Sequence, residues 1–386
     1  MQASAEFCSI SECMQRIRML DGCAGIGGNS YAFHSFARTA LYSEIDSNTI
    51  AILKGVMRKG YIDTAPVTGD IAKLDVDTVR ACFGSNSVDM LTAGWPCQGT
   101  SVCGAKRGLE DCRSSLVKDI MSQVAAFDVS MVFLENVPAV LSNGSARFVA
   151  DAFAELGYAL AWGVLSADDV GFRHQRKRWF CLAVKHDRMG MLRSCLEVST
   201  SHQLSRGGPE PARMALVNEA PRLRVLGNGV VPHAVKRAFE LLGAMILDPR
   251  RGAPLLLYTR NLLPFKWVTI DASGCRRTMR RPVAETSIER FPPLMLLPDA
   301  YDSPLPPSRL CNGKFITKPI PLSAWSTPRH ANFGASNYLT TRSMNDLGTQ
   351  IRFEQDTPDA LRGGYISVHF LEWLMGYPLD YTNAGS

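Results

Sequence analysis

The sequence has no long apolar run. Its longest, near residues 241–247, is far too short to cross a bilayer, so no membrane span is expected. Paired cysteine spacing is missing as well. The 11 cysteines are odd in number, form no CxxC and never join histidines at zinc spacing, so neither a disulfide framework nor a structural metal is expected. No N-terminal segment resembles a signal peptide. The expected setting is therefore intracellular, in cytoplasm or nucleoid, or in a host-cell compartment for a viral protein. Repeats and low-complexity tracts are also lacking, and so is a large charge excess. A net charge of +6 permits a polyanionic partner without requiring one. What is present is an ordinary globular composition, 46% hydrophobic and 20% charged over 386 residues, enough for a catalytic domain and a smaller one.

The rest of the chain is organised around VDMLTAGWPCQGTS, residues 88–101. An apolar strand pattern breaks at Gly94 and delivers Pro96, Cys97 and Gln98. Ligands of α/β sheets bind beyond the carboxyl ends of the strands, and proline fixes φ just before the thiol. Cys97 is thus a nucleophile candidate, although on this stretch alone it reads equally as a small buried hydrophobe. Its company shifts the balance. MVFLENVP, residues 131–138, is a second apolar run that ends by delivering Glu135 and Asn136, so a thiol and a carboxyl can face one pocket.

Earlier in the chain, RIRMLDGC reads as a strand that runs into AGIGGNS before a helix. A glycine turn there lets backbone N–H groups approach a ligand, and side chains at Gly25, Gly27 or Gly28 would obstruct it. About twenty residues later ALYSEID ends a second strand in Glu44 and Asp46, where an acid can accept hydrogen bonds from a ribose. A third strand covers residues 66–71 with Asp70 at its tip. Glycines, Glu44 and Asp70 would line one edge of the sheet, and Cys97 and Glu135 the other. MVFLENV, YALAWGVLSA and WFCLAVK read as strands five to seven. Between the last two lies GFRHQRKR, which reads either as solvated surface or as His174, Arg176 and Arg178 turned into the pocket to hold an anionic or carbonyl group.

Taken together these segments resemble the motifs of the DNA (cytosine-5)-methyltransferases of bacteria, phages and viruses. DGCAGIGG resembles the first cofactor motif, SEID the ribose-binding acid, Gly69-Asp70 the adenine contact and GWPCQGTS the nucleophile loop. LENV resembles the catalytic acid motif, HQRKR the QxRxR motif, and LGNGVVP, residues 226–232, the final cofactor motif. The resemblance implies an α/β fold: a doubly wound, Rossmann-like methyltransferase sheet of seven strands, the last antiparallel, with a smaller irregular C-terminal target-recognition region. It implies S-adenosyl-L-methionine as cofactor and double-stranded DNA as partner, with no membrane, no structural metal and a monomeric enzyme. Cys97, Glu135, Arg176 and Arg178 would be catalytic. Asp21, Cys23, Gly25, Gly27, Gly28, Glu44, Ile45, Asp70, Ile71, Pro96, Leu116, Asn228 and Gly229 would bind the cofactor. Gln98, Ser101, Cys103, Arg276 and Arg277 would meet DNA.

The implied chemistry suits the residue types. Cytosine C5 is a poor nucleophile until a soft thiolate adds at C6, and Glu135 would share or donate a proton at N3, which calls for a carboxyl of raised proton affinity. The base must be flipped out of the duplex to be reached. Cys23 departs from the pattern, standing where the family often has an aromatic on the adenine, so Ile45 or Ile71 is expected to supply that contact. His174 replaces the glutamine of QxRxR. The order departs too, because LGNGVVPHAVKRAFELLGAMI precedes about 140 further residues that end in SVHFLEWLMGYPLDYT, which resembles the motif that usually comes before it.

The expected organisation is an N-terminal extension over 1–15, the catalytic domain over 16–185, a surface linker over 186–221, the final cofactor motif and its helix over 222–249, and a target-recognition region over 250–386. Two other readings stand beside DNA methylation. One is the same chemistry on tRNA, and the other a silent DNA-binding relative, which the presence of both Cys97 and Glu135 disfavours.

Overall fold

The computed structural model describes residues 16–96, 112–205, 207–217, 219–248 and 365–383, with residue 347 and the backbones of a few strands between 266 and 316. Cys97, Gln98, Ser101 and Cys103 lie outside these residues, as do the side chains of Arg276 and Arg277.

Seven strands carry the molecule: β1 Ile17–Gly22, β2 Ala37–Ser43, β3 Val67–Thr68, β4 Met90–Ala93, β5 Met131–Asn136, β6 Tyr158–Leu165 and β7 Arg178–Lys185. They stand in the order β3-β2-β1-β4-β5-β7-β6. The first five run parallel, and β7 is antiparallel to both β5 and β6. Strands such as Met90–Ala93 and Met131–Leu134 are buried at successive positions because helices cover both faces of the sheet, where an exposed face would demand alternation. Strand order reverses at β1, whose neighbours are β2 and β4. The crevice at such a switch point is where sheets of this kind take their ligands.

One face is covered by α3 Val76–Phe83, α4 Cys112–Ala126 and α5 Ser145–Glu155, which contribute Val79, Val124 and Phe153 to its core. The other face carries α1 Gly28–Phe33, α2 Ser47–Arg58, α6 Met189–Ser201 and α8 Pro232–Leu247, with Phe33, Phe133 and Phe239 packed together. Local chemistry sets the starts of two of these helices. Asp46 accepts the Thr49 N–H at 2.8 Å ahead of α2, and Asp75 accepts the Thr78 N–H at 2.7 Å ahead of α3. A further helix, α7 Ala220–Asn228, leads into α8.

Residues 186–221, expected as a surface linker, contain α6 instead. Its Leu192, Cys195 and Leu196 are buried against the α8 side of the sheet, so a mostly polar stretch hides a narrow apolar stripe. Past α8, strands β9 Lys266–Ile270 and β10 Arg276–Arg280 extend the main sheet beyond β6. Strands β11 Arg309–Cys311 and β12 Lys314–Ile316 pair with each other. Finally β13 Tyr365–Ile366 pairs with β8 Met214–Ala215, and α9 Val368–Leu374 returns the chain to the catalytic core. Among the described residues no helix is long and apolar enough to cross a membrane.

Candidate active site

The parallel strands deliver two groups of side chains at their carboxyl ends. The first lies around β1, β2 and β3. Beyond β1 the chain turns through Cys23, Gly25 and Gly27, each with positive φ, before α1 begins. The Glu44 carboxylate at the end of β2 closes this turn: Oε2 accepts the Gly25 N–H at 2.8 Å, and Oε1 accepts the Ile45 and Asp46 N–H groups at 2.9 Å. At the end of β3, Asp70 accepts the Ala72 N–H at 3.0 Å. Asp21, Glu44 and Asp70 all lie near Cys23, whose thiol is pushed up to about 12, chiefly by burial and then by those three charges, and so stays protonated.

The two isoleucines expected beside the adenine differ sharply. Ile71 is buried, with its Cδ1 over Gly22, whereas Ile45 is 76% exposed. A large apolar side chain left open between acidic strand tips is what a flat heteroaromatic ligand would cover. Asp21 faces inward. Its carboxylate accepts Thr92 Oγ1 at 2.7 Å, Ser30 Oγ at 2.7 Å and Asn29 Nδ2 at 3.5 Å. Burial raises it to about 6 against the lowering pull of these bonds. Leu116, on α4, is partly buried against the core of that face, while Asn228 is exposed at the end of α7.

The second group lies around β4, β5 and β7. Arg178 opens β7 two registers beyond the pairing of Glu135 with Phe180, and its Nε meets Glu135 Oε1 at 2.8 Å. The other carboxylate oxygen faces the turn after β4: a Cβ on Gly94 would lie 2.9 Å from Glu135 Oε2. Glycine at 94 therefore makes room for the acid. Asn136 joins the same two strand ends, its Nδ2 donating to Trp95 O at 2.9 Å while its Oδ1 accepts the Val137 N–H at 2.8 Å. Pro96 is exposed just beyond, covalently next to Cys97.

The remaining residues of HQRKR have other partners. Arg176 is buried, and its guanidinium donates to the carbonyls of Gly227, at 3.0 Å, and of Gly229. His174 is fully buried and donates from Nε2 to Leu374 O at 3.1 Å; burial, with the Arg176 charge beside it, pushes it down to about 3 and keeps it neutral. Thus Arg178 meets the acid, Arg176 ties strand β7 to the end of α7, and His174 ties it to α9.

Sequence reasoning missed the space-making part of Gly94 and all of the 365–383 segment's contacts here. Gly94 stood in the quoted motif, so its position next to the acid strand was the available signal. For the terminal segment, the motif was visible but carried no hint of what it touches.

Comparison with known proteins bears on this arrangement. Residues 17–211 match the family described as C-5 cytosine-specific DNA methylase. Type II methyltransferase M.CviJI of Paramecium bursaria Chlorella virus IL3A is 25% identical over 385 residues, covering 94% of this chain and 97% of that protein. Type II methyltransferase M.HhaI of Haemophilus parahaemolyticus is 31% identical over 175 residues, covering 44% of this chain and 50% of its own. Among solved structures, the S. pombe Dnmt2 methyltransferase aligns with a TM-score of 0.36 at 22% identity, covering 46% of this chain and 55% of that one. The matches to M.HhaI and to Dnmt2 thus span about half of those proteins.

Proposed function

Because the chain belongs to the C-5 cytosine-specific DNA methylases, through a match over residues 17–211, we propose that it methylates C5 of cytosine in double-stranded DNA. Cys97 is the nucleophile of this reading, Glu135 its acid and S-adenosylmethionine the donor. The observation that carries it is the placement of the Glu135 carboxylate between Arg178 Nε, at 2.8 Å, and the Gly94 turn that leads to Cys97.

The residues at the first group of strand tips suit the donor. The glycine turn held by Glu44, the open face of Ile45 and the acidic tip at Asp70 offer backbone approach, an apolar cover and hydrogen-bond acceptors in one place. Bound there, S-adenosylmethionine would supply a methyl group made electrophilic by its sulfonium.

Everything else falls to the protein's own side chains. The Cys97 thiolate adds to C6 of a cytosine flipped from the duplex, at an unstacking cost of about a few kcal/mol that pocket contacts offset. Glu135 shares a proton with N3, so the negative charge that addition would leave on the ring is neutralised as it forms. Arg178 holds that carboxylate in place, and Asn136 keeps the nucleophile's strand in register with the acid's. Addition makes C5 nucleophilic. C5 would then take the donor's methyl group as that group's bond to sulfur breaks and leaves a thioether, and loss of the C5 proton to solvent would allow Cys97 to leave.

Duplexes bearing 5-fluorocytosine at the target, which cannot lose a C5 proton, test this directly. With the donor present the protein should become covalently attached, and Cys97→Ser should not. Bisulfite sequencing of DNA from expressing cells supplies the sequence context. Methylation of tRNA without any of DNA, or trapping that persists in Cys97→Ser, would refute the proposal.

A further inference from the structure

We infer that the last turn of the described chain is part of the cofactor site, with Tyr381 and Tyr377 as positioning residues of the glycine loop. The inference rests on the reading of that loop as the S-adenosylmethionine site. It concerns residues some 350 positions away in sequence, to which no cofactor role was expected.

The geometry is direct. Tyr381 is fully buried, and its hydroxyl donates to Ile26 O at 3.0 Å, with Gly27 O at 3.5 Å. Ile26 and Gly27 lead into α1; the Gly27 carbonyl accepts the Tyr31 N–H at 2.9 Å, so the bond from Tyr381 bears chiefly on the Ile26 carbonyl, just outside the helix. Tyr377, also fully buried, donates from its hydroxyl to Val230 O at 2.9 Å, within the LGNGVVP segment. The same hydroxyl occupies the volume that a side chain at Gly28 would need, 2.5 Å from where its Cβ would stand. Gly28 is therefore glycine because Tyr377 and Val230, whose Cγ2 is also 2.5 Å away, together fill the space beside it. The two tyrosine rings lie 4.5 Å apart and flank Tyr31 of α1 at 6.3 and 5.6 Å. One aromatic cluster thus grips the first cofactor motif and the final one together.

These side chains touch backbone, so they act on the ligand through the loop. Losing either hydroxyl leaves a buried carbonyl without its donor and frees a turn whose amide groups must be aimed in advance. Cofactor affinity should fall while the acid and nucleophile, on β5 and after β4, keep their geometry.

The test compares full-length Tyr381→Phe, Tyr377→Phe and the double variant with Tyr158→Phe. Tyr158 is a matched control: its buried hydroxyl donates to Val129 O on the opposite core face, far from the loop. The measurements are calorimetric binding of S-adenosylmethionine and steady-state KM and kcat with DNA. Each of the first two variants should bind the cofactor about five- to tenfold more weakly, with KM following, kcat within about twofold and DNA affinity unchanged. Tyr158→Phe should lose thermal stability without moving cofactor KM. Equal cofactor binding in wild type and both loop variants would overturn the inference, as would a matching loss in Tyr158→Phe. A wild-type protein that binds no S-adenosylmethionine would overturn the underlying reading and this inference with it.

Discussion

At the scale of single residues, two positions separate space from charge. Gly94 leaves only 2.9 Å between its virtual Cβ and Glu135 Oε2, and the carboxylate's other oxygen is engaged by Arg178. Gly94→Ala must therefore push the acid away from its productive position, and small displacements of a proton-transfer group are costly. Single-turnover methylation should slow by about a hundredfold with cofactor binding unchanged; an unaltered rate would show that Glu135 needs no such room. Asp21 is the opposite case, a carboxyl buried among side-chain donors with no cation among the described residues in contact. Its carboxyl rises from 3.8 to about 6 through burial, so the folded state prefers it protonated. That preference favours folding fully below about pH 4 and is lost as pH climbs through 6. At pH 7 to 8 the ionised Asp21 costs at most about 3 kcal/mol. Asp21→Asn, which keeps the shape, should raise stability by up to that amount at pH 8, the difference shrinking toward zero at pH 4. Urea unfolding at both pH values checks it, and a pH-independent difference would refute it.

At the scale of elements, HQRKR joins strand β7 to three neighbours. Arg178 reaches the acid on β5, Arg176 the carbonyls of Gly227 and Gly229 at the end of α7, and His174 the carbonyl of Leu374 in α9. The two arginines should therefore fail differently when changed. Arg176→Met strips two buried carbonyls of a charged donor and should destabilise the fold by about 3 kcal/mol while raising cofactor KM, since Asn228 and Gly229 lose their anchor. Arg178→Lys should leave stability nearly intact and slow the chemical step, because a point charge replaces a planar fork at the carboxylate. Identical kinetic signatures for the two would contradict this division. The sequence already disclosed why these elements exist: apolar runs ending in Glu44 and Glu135 read as strand tips because both sheet faces are covered. It could not disclose that Arg176 turns away from Arg178's partner, since a strand's alternation assigns sides but not acceptors. Nor could it disclose α6, whose buried Leu192, Cys195 and Leu196 are outnumbered by polar neighbours.

At the scale of the whole molecule, the question is what returns the chain to its own beginning after some 115 intervening residues. Aromatic packing supplies area, but the fixed point is a charge. Glu372 on α9 is fully buried and its Oε1 meets Arg222 Nη2 of α7 at 3.1 Å. The same carboxylate accepts the Thr382 N–H at 2.7 Å, the Thr382 hydroxyl at 2.6 Å and the Asp380 N–H at 2.7 Å. Those bonds fold the segment after α9 back on itself, which brings Tyr377 and Tyr381 to the glycine loop. A buried carboxylate is expensive to desolvate and justifies itself only when its lone pairs are met, as here they are. Removing it leaves Arg222 short of a partner and several donors short of an acceptor. Glu372→Ala should thus cost about 3 kcal/mol or more, toward the range found when one member of a buried ion pair is deleted. The loss should not be uniform, because the central strands keep every one of their contacts. Limited proteolysis should cut within 375–383 before anywhere in the sheet, and cofactor affinity should drop along with it. A variant that loses global stability while this segment stays protease-resistant would mean that the aromatic cluster, and not the buried acid, closes the chain.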